Sequence, residues 1–187
     1  MIVFLFVFLS ILSLCLLLWQ ISNLVSVFYG SPYVMANKIV IRQALKLAGL
    51  KKGDVFYDLG CGRGDVLIEA AKMGAKATGF EISPYYFLLA KLKVLIYQYN
   101  DSVKKLCTCV TNLQIQVCFS NINNVNFSKA DVIYCYLLPK FLDRLTPKFK
   151  KELKKGSRLI SIGFPIKTLK KGTEYNINSR KIFIYRF

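Results

Sequence analysis

The 187-residue chain contains no histidine. That removes the Ser-His and Cys-His pairings that activate many side-chain nucleophiles, and with them the commonest metal ligand. Acidic residues are scarce, 10 against 27 Lys and Arg, so the formal net charge is +17. Charge of either sign is missing altogether from residues 1–37. Basic residues begin with Lys38, Arg42, Lys46, Lys51 and Lys52.

What fills the uncharged stretch is an apolar run. Met1 to Leu18 is mostly Ile, Val, Leu and Phe, broken only by Ser10, Ser13 and Cys15. A helix needs about 20 apolar residues to cross a bilayer. Trp19 and the Phe28-Tyr29 pair suit an interfacial aromatic belt. A cleaved signal peptide would show a basic start and a small-x-small cleavage site, and neither is present. Residues 1–29 therefore read as a retained transmembrane anchor and 30–187 as one domain. With all the basic residues after the span, the positive-inside rule puts that domain on the cytoplasmic side of a single-pass membrane protein.

The positive charge has three readings: anionic lipid, nucleic acid or plain solubility. Beside an anchor, lysines facing acidic headgroups are the simplest, at about 1 kcal/mol per basic residue near the surface. No RNA-binding signature or aromatic–basic platform argues for a nucleic-acid partner. The six cysteines do not form a disulfide framework: Cys15 is in the span, Cys61 in a turn, and Cys118 and Cys135 in expected strands. Cys107 and Cys109 make a lone Cys-x-Cys without companion ligands, so no metal is expected. Reduced thiols suit a reducing compartment.

After a break at Gly30-Ser31-Pro32-Tyr33, apolar spacing predicts a helix over Val34–Leu50. Strands are expected at Val55–Leu59, Ala75–Phe80, Leu113–Phe119, Asp131–Leu137 and Arg158–Phe164. Helices are expected at Gly64–Met73, from Ser83-Pro84 to about Tyr99, and at Phe141–Leu153, with an Asn-rich loop over Ser120–Ser128. Glu174–Ile177 and Lys181–Phe187 flank an Asn178-Ser179 turn and read as a closing hairpin. This order argues for an α/β, doubly wound parallel sheet with an antiparallel strand added at its edge.

The chemistry lies in Asp58-Leu-Gly-Cys-Gly-Arg-Gly64: an apolar strand ends in an acid, and Gly60, Gly62 and Gly64 follow before a helix starts. Open α/β sheets bind nucleotide-like ligands at such a turn. The acid shifts the reading away from a phosphate loop toward a cationic, amino-acid-bearing cofactor. The spacing also departs from the G-x-G-x-x-G of dinucleotide sites.

Together with Glu81 at the end of the next strand, this segment resembles the S-adenosylmethionine site of class I, Rossmann-like methyltransferases, which have seven β-strands. The resemblance covers Val34 to Phe187. It implies that Asp58 meets the cofactor's ammonium group and that Gly60, Cys61, Gly62 and Gly64 carry the backbone past its methionine part. It further implies that Glu81 accepts from the ribose hydroxyls and that Asn121 lies by the adenine. Many relatives have Gly-Asp where this chain has Ser120-Asn121.

Asp131-Val-Ile-Tyr-Cys-Tyr-Leu-Leu-Pro139 resembles the Asp-x-x-Tyr signature of seven-strand lysine methyltransferases. The whole plan is similar to the small membrane-anchored protein-lysine methyltransferases that act on the ATP synthase c-ring and the adenine nucleotide carrier. Shared features are the span, Pro32–Val34, the Leu-Pro after the tyrosines, Gly156-Ser157-Arg158 and an aromatic-rich final strand. What this implies is methylation of a lysine on a membrane protein. The acceptor slot would be lined by Tyr134, Tyr136 and Tyr33 with Asp131 nearby, making Asp131, Tyr134 and Tyr136 the catalytic candidates. Cys135 points to the other face of its strand and reads as a packed thiol. Two rivals remain at this point: a lipid or small amphiphile as acceptor, and a non-catalytic cofactor-binding scaffold.

Overall fold

The computed structural model describes residues 1–28, 37–105, 115–169 and 172–187. Tyr29, Pro32–Val34 with Tyr33, and the Cys107-x-Cys109 pair lie outside these residues.

Seven strands form one sheet: β1 (Val55–Leu59), β2 (Lys76–Glu81), β3 (Ile115–Phe119), β4 (Val132–Cys135), β5 (Arg158–Ile162), β6 (Thr173–Ile177) and β7 (Arg180–Arg186). Their order is β3-β2-β1-β4-β5-β7-β6. The first five run parallel, and β7 lies antiparallel between β5 and β6. The antiparallel strand is thus second from the edge, not at it as the sequence led us to expect. Composition explains the placement. β7 buries Ile182, Phe183, Ile184 and Tyr185, which need cover on both faces. β6 carries Thr173, Glu174 and Asn176, all exposed, and polar residues blunt an edge strand. Asn178 (φ 48°) and Ser179 (φ 62°) join the two through a tight turn with both central residues left-handed.

The helices are α1 (Ile2–Phe28), α2 (Lys38–Leu47), α3 (Asp65–Lys72), α4 (Pro84–Lys105) and α5 (Pro139–Glu152), with a 3₁₀ turn at Ile122–Asn124. α4 runs past Tyr99 because the polar Asn100-Asp101-Ser102 that follows contains no Gly or Pro to stop it. One apolar layer joins α2, α3 and α4 to one sheet face through Ile41, Leu67, Ala90, Tyr134 and Ile160. A second layer, around Phe127, Ile133, Leu142, Phe149 and Leu159, covers the other face.

Strand alternation sorts the side chains. Gly79, Asp58, Tyr134, Ile160 and Ile184 are successive register partners across five strands, so they point to one face. At the opposite, N-terminal ends of the strands, Arg158 donates to the Gly49 carbonyl (2.7 Å) and to Asp54 (2.8 Å). That end of the sheet is tied by this ion pair and hydrogen bond.

α1 is exposed along nearly its whole length. Its 21-residue stretch Ile2–Ser22 is long and apolar enough to cross a membrane, spanning about 30 Å. It touches the rest of the chain near its end: buried Ser22 accepts the Tyr85 N–H on its Oγ at 3.0 Å, in the first turn of α4.

Candidate active site

The bend after β1 is wired to the end of β2. The Phe80 carbonyl accepts the Gly60 N–H (2.9 Å) and the Cys61 N–H (3.1 Å). Glu81 Oε2 accepts the Gly62 N–H at 2.8 Å. Gly60, at φ +80°, and Gly62, at φ +52°, hold left-handed backbone that glycine adopts without a Cβ penalty. Gly64, at φ +76°, is left-handed as well and caps the start of α3, and a Cβ there would make only ordinary contact with Ala90 (3.5 Å) and Val94 (3.6 Å).

Cys61 gives the crevice only its backbone. Its side chain is buried, with Sγ 2.7 Å from where a Cβ on Gly79 would be. Gly79 therefore lets the bend close onto β2. Sequence reasoning passed over this residue, although a glycine inside a strand signals a close approach.

Asp58, next to last in β1, is 2% exposed, and its Oδ2 has no hydrogen-bond partner among the described residues. Burial, then the charges of Glu81 and Asp65, push its pKa well above the usual carboxylate range. Glu81, also buried, accepts the N–H groups of Ile82 (3.0 Å) and Ser83 (2.9 Å) on Oε1. Burial raises its pKa, and the three backbone donors hold it partly down. A carboxylate offers about four acceptor sites, so Glu81 retains one on Oε2.

On the β4 side, Tyr134 is the register partner of Asp58. It is 2% exposed, and its Oη likewise has no partner among the described residues. Burial first, then Asp58, drives its pKa well up, so it is a neutral phenol. Tyr136 lies past the strand end. Its hydroxyl accepts from Arg180 Nη1, whose guanidinium also sits 5.6 Å over the ring. Arg180, from the tip of the hairpin, was not singled out in the sequence, because only the folded β7 brings it back to β4. Cys135 faces the other layer, Sγ 3.3 Å from the Ile160 carbonyl, with burial pushing its thiol up to about 12.

One expected residue sits differently from the sequence reading. Asp131 does not reach the crevice. It precedes β4 at the N-terminal end, where Oδ2 accepts the Val55 N–H (2.8 Å) and Oδ1 pairs with Lys154 (2.7 Å). β4 runs parallel to β1, so the residue before it pairs with the start of β1, three residues short of Asp58. Asn121 does lie beyond the C-terminal end of β3, but its Oδ1 caps the 3₁₀ turn by accepting from the Asn123 N–H at 3.0 Å.

The crevice thus presents two carboxylates, one with a bare buried oxygen, and a bend whose Gly60, Cys61 and Gly62 donors are already taken. That suits a ligand with a cationic amino-acid end and vicinal hydroxyls, and it is ill-suited to a pyrophosphate. With the strand order, these features make the chain a class I S-adenosylmethionine-dependent methyltransferase. The profile of the ANTKMT methyltransferase domain matches residues 58–173, and the chain belongs to that family. A protein-lysine N-methyltransferase of Saccharolobus islandicus (strain REY15A) is 34% identical over 140 residues, 73% of this chain and 78% of that one. The lysine N-methyltransferase of the ATP synthase C-subunit from Xenopus laevis is 25% identical over 134 residues, and the match spans 72% of this chain but only 54% of that protein. Among solved structures, an RNA methyltransferase from Salinibacter ruber in complex with S-adenosyl-L-homocysteine superposes with TM-score 0.71 at 24% identity, covering 82% of this chain and 93% of that one.

Proposed function

We propose that this chain transfers a methyl group from S-adenosylmethionine to a lysine side chain of a protein held at a membrane. The observation that carries the reading is Asp58 Oδ2, without a hydrogen-bond partner among the described residues and buried near the end of β1 beside the glycine bend. A buried acceptor without a partner is costly, and a ligand ammonium relieves that cost. Asp58 would hold the amino group, the open site on Glu81 Oε2 a ribose hydroxyl, and Asn121 an adenine edge through its amide. When bound, S-adenosylmethionine supplies an electrophilic methyl on sulfur.

The lysine reading is supported by the naming of the Saccharolobus relative and by the tyrosines at the β4 exit. The Tyr136 ring and the Arg180 guanidinium over it border the exit of β4, where a lysine would meet an aromatic wall and a fixed positive charge. A lysine amine must lose its proton before it attacks. Desolvation and the neighbouring Arg180 charge both favour the neutral form. The ammonium would give that proton to water, and the neutral amine so held could then take up the methyl, becoming a methylammonium while the bond electrons stay on sulfur as a neutral thioether. Positioning supplies much of the rate.

The same reading divides the chain into an anchor over residues 1–29 and a methyltransferase domain over 30–187. The span is crossed once, the domain lies on the cytoplasmic side, and the basic surface faces anionic lipid rather than nucleic acid. Incubating membranes with cofactor tritiated on the methyl group tests the acceptor. Label in protein, recovered as methyl-lysine after hydrolysis, supports the proposal. Label extracted only into organic solvent overturns it in favour of a lipid acceptor.

A further inference from the structure

α4 is apolar on two faces, and only one of them is packed against the sheet. Ala90 and Val94 are buried in that layer. On the other side Leu88, Leu92, Leu95, Ile96 and Tyr99 follow one another at helical spacing and are 53–71% exposed. The helix on the opposite face of the sheet behaves differently: α5 turns Lys140, Asp143, Arg144 and Lys150 to solvent. A helix with apolar residues on opposite faces is normally covered on both.

The covering surface is indicated by where α4 begins. Its Tyr85 N–H is bonded to Ser22, the last residue of the apolar span. If the span crosses a bilayer, the first turn of α4 stands where the span emerges, and the stripe starts one turn further on at Leu88. All the basic residues of the chain lie after that emergence point, and Lys91 is exposed on α4 itself with its ammonium 5.3 Å over the Phe87 ring. Two copies each carrying a net +17 repel each other, whereas an anionic leaflet attracts them.

We propose that the outer face of α4 is a second membrane contact, lying in the headgroup boundary of an anionic leaflet. It rests on the reading of α1 as an anchor. Docked there, α4 fixes the tilt of the domain, and Glu81 and Ser83, which immediately precede the helix, are held close to the bilayer surface. Any acceptor group would then be met at the height of the headgroups.

The test uses the full chain in vesicles of phosphatidylcholine and phosphatidylserine with bromines placed high on the acyl chains. The wild-type reporter is Trp19, the only tryptophan. The α4 reporter is Leu92→Trp in a Trp19→Phe background, and Lys150→Trp in the same background is the control. For a face sunk about 5–10 Å into the boundary, the indole introduced at position 92 should lose about half its emission and the control should lose little. Quenching of Trp19 without quenching at position 92 would overturn the inference and leave the anchor standing. No quenching at either position would overturn both. An emission at position 92 that is unquenched but shifts with protein concentration would assign the face to a second copy, against the proposal.

Discussion

Asp58 and Tyr134 are register partners on adjacent parallel strands, and each carries a buried oxygen with no hydrogen-bond partner among the described residues. Two such atoms side by side are an energetic cost in the free protein. They mark the place where the fold gives up stability for a guest.

On the proposed reading, Asp58 makes cofactor affinity depend on pH. Its pKa in the free protein is pushed up by burial and by neighbouring acids, whereas an ammonium partner needs the carboxylate form. Binding therefore expels a proton whenever the pH lies below the raised value. Affinity should climb with pH, by up to about tenfold per unit, and level off once Asp58 is ionised in the free chain. Calorimetry with the demethylated product across pH reads this directly. Asp58→Asn should bind roughly 100-fold more weakly, with a flat profile. A wild-type curve that falls as pH rises would remove Asp58 from the site.

Tyr134→Phe should separate stability from turnover. With no partner for the hydroxyl among the described residues, its removal should leave the cofactor-free protein as stable or more stable by about 1 kcal/mol. Turnover should fall if the phenol is engaged only in the loaded enzyme. A clear loss of thermal stability would mean the hydroxyl is already satisfied in the free fold.

Gly79→Ala should disrupt the bend from beneath. The new methyl would stand 2.6 Å from Leu67 Cδ1 and 2.7 Å from Cys61 Sγ, and such overpacking costs about 1–3 kcal/mol. Adding Cys61→Gly removes both the Cβ and the Sγ of Cys61, each 2.7 Å from the new methyl, so the double variant should recover part of the loss in both melting temperature and cofactor affinity. An unaltered single variant would show that the bend does not rest on β2.

Asp131→Asn should act on stability rather than on chemistry. Burial raises the Asp131 pKa, but Lys154 and the Val55 N–H outweigh this and hold it below the ordinary value. Its contribution is therefore full above the unfolded pKa of about 3.9 and disappears as pH falls through the folded one. The pair is partly exposed, so the variant should lose about 1 kcal/mol at neutral pH, and the gap should close in acid melts. Turnover per folded molecule should be unchanged.

The geometry of the proposed cofactor side was legible in the sequence because its residues are contiguous. Asp58 through Gly64 occupy one strand end and one bend, and Glu81 ends the next strand, so local pattern carried the geometry. The acceptor side depends on long-range register. Asp131 and Tyr134 are three residues apart along β4 and its lead-in, which places them toward opposite ends of it, and spacing to a motif could not show which end faces the crevice. Arg180 reaches Tyr136 only because β7 inserts between β5 and β6, a topological choice driven by the apolar Ile182–Tyr185 run. The Ser22–Tyr85 contact joins residues 63 positions apart and has no local signal at all.

The tying of the bend to β2 through Phe80 and Glu81 has a kinetic corollary. On the proposed reading this rigid seat grips the amino-acid and sugar ends, which the donor and its spent form have in common. Neither end changes during the reaction, so the spent molecule keeps those contacts and differs only at sulfur. That by-product therefore competes with fresh donor for one seat, and its build-up would throttle the enzyme.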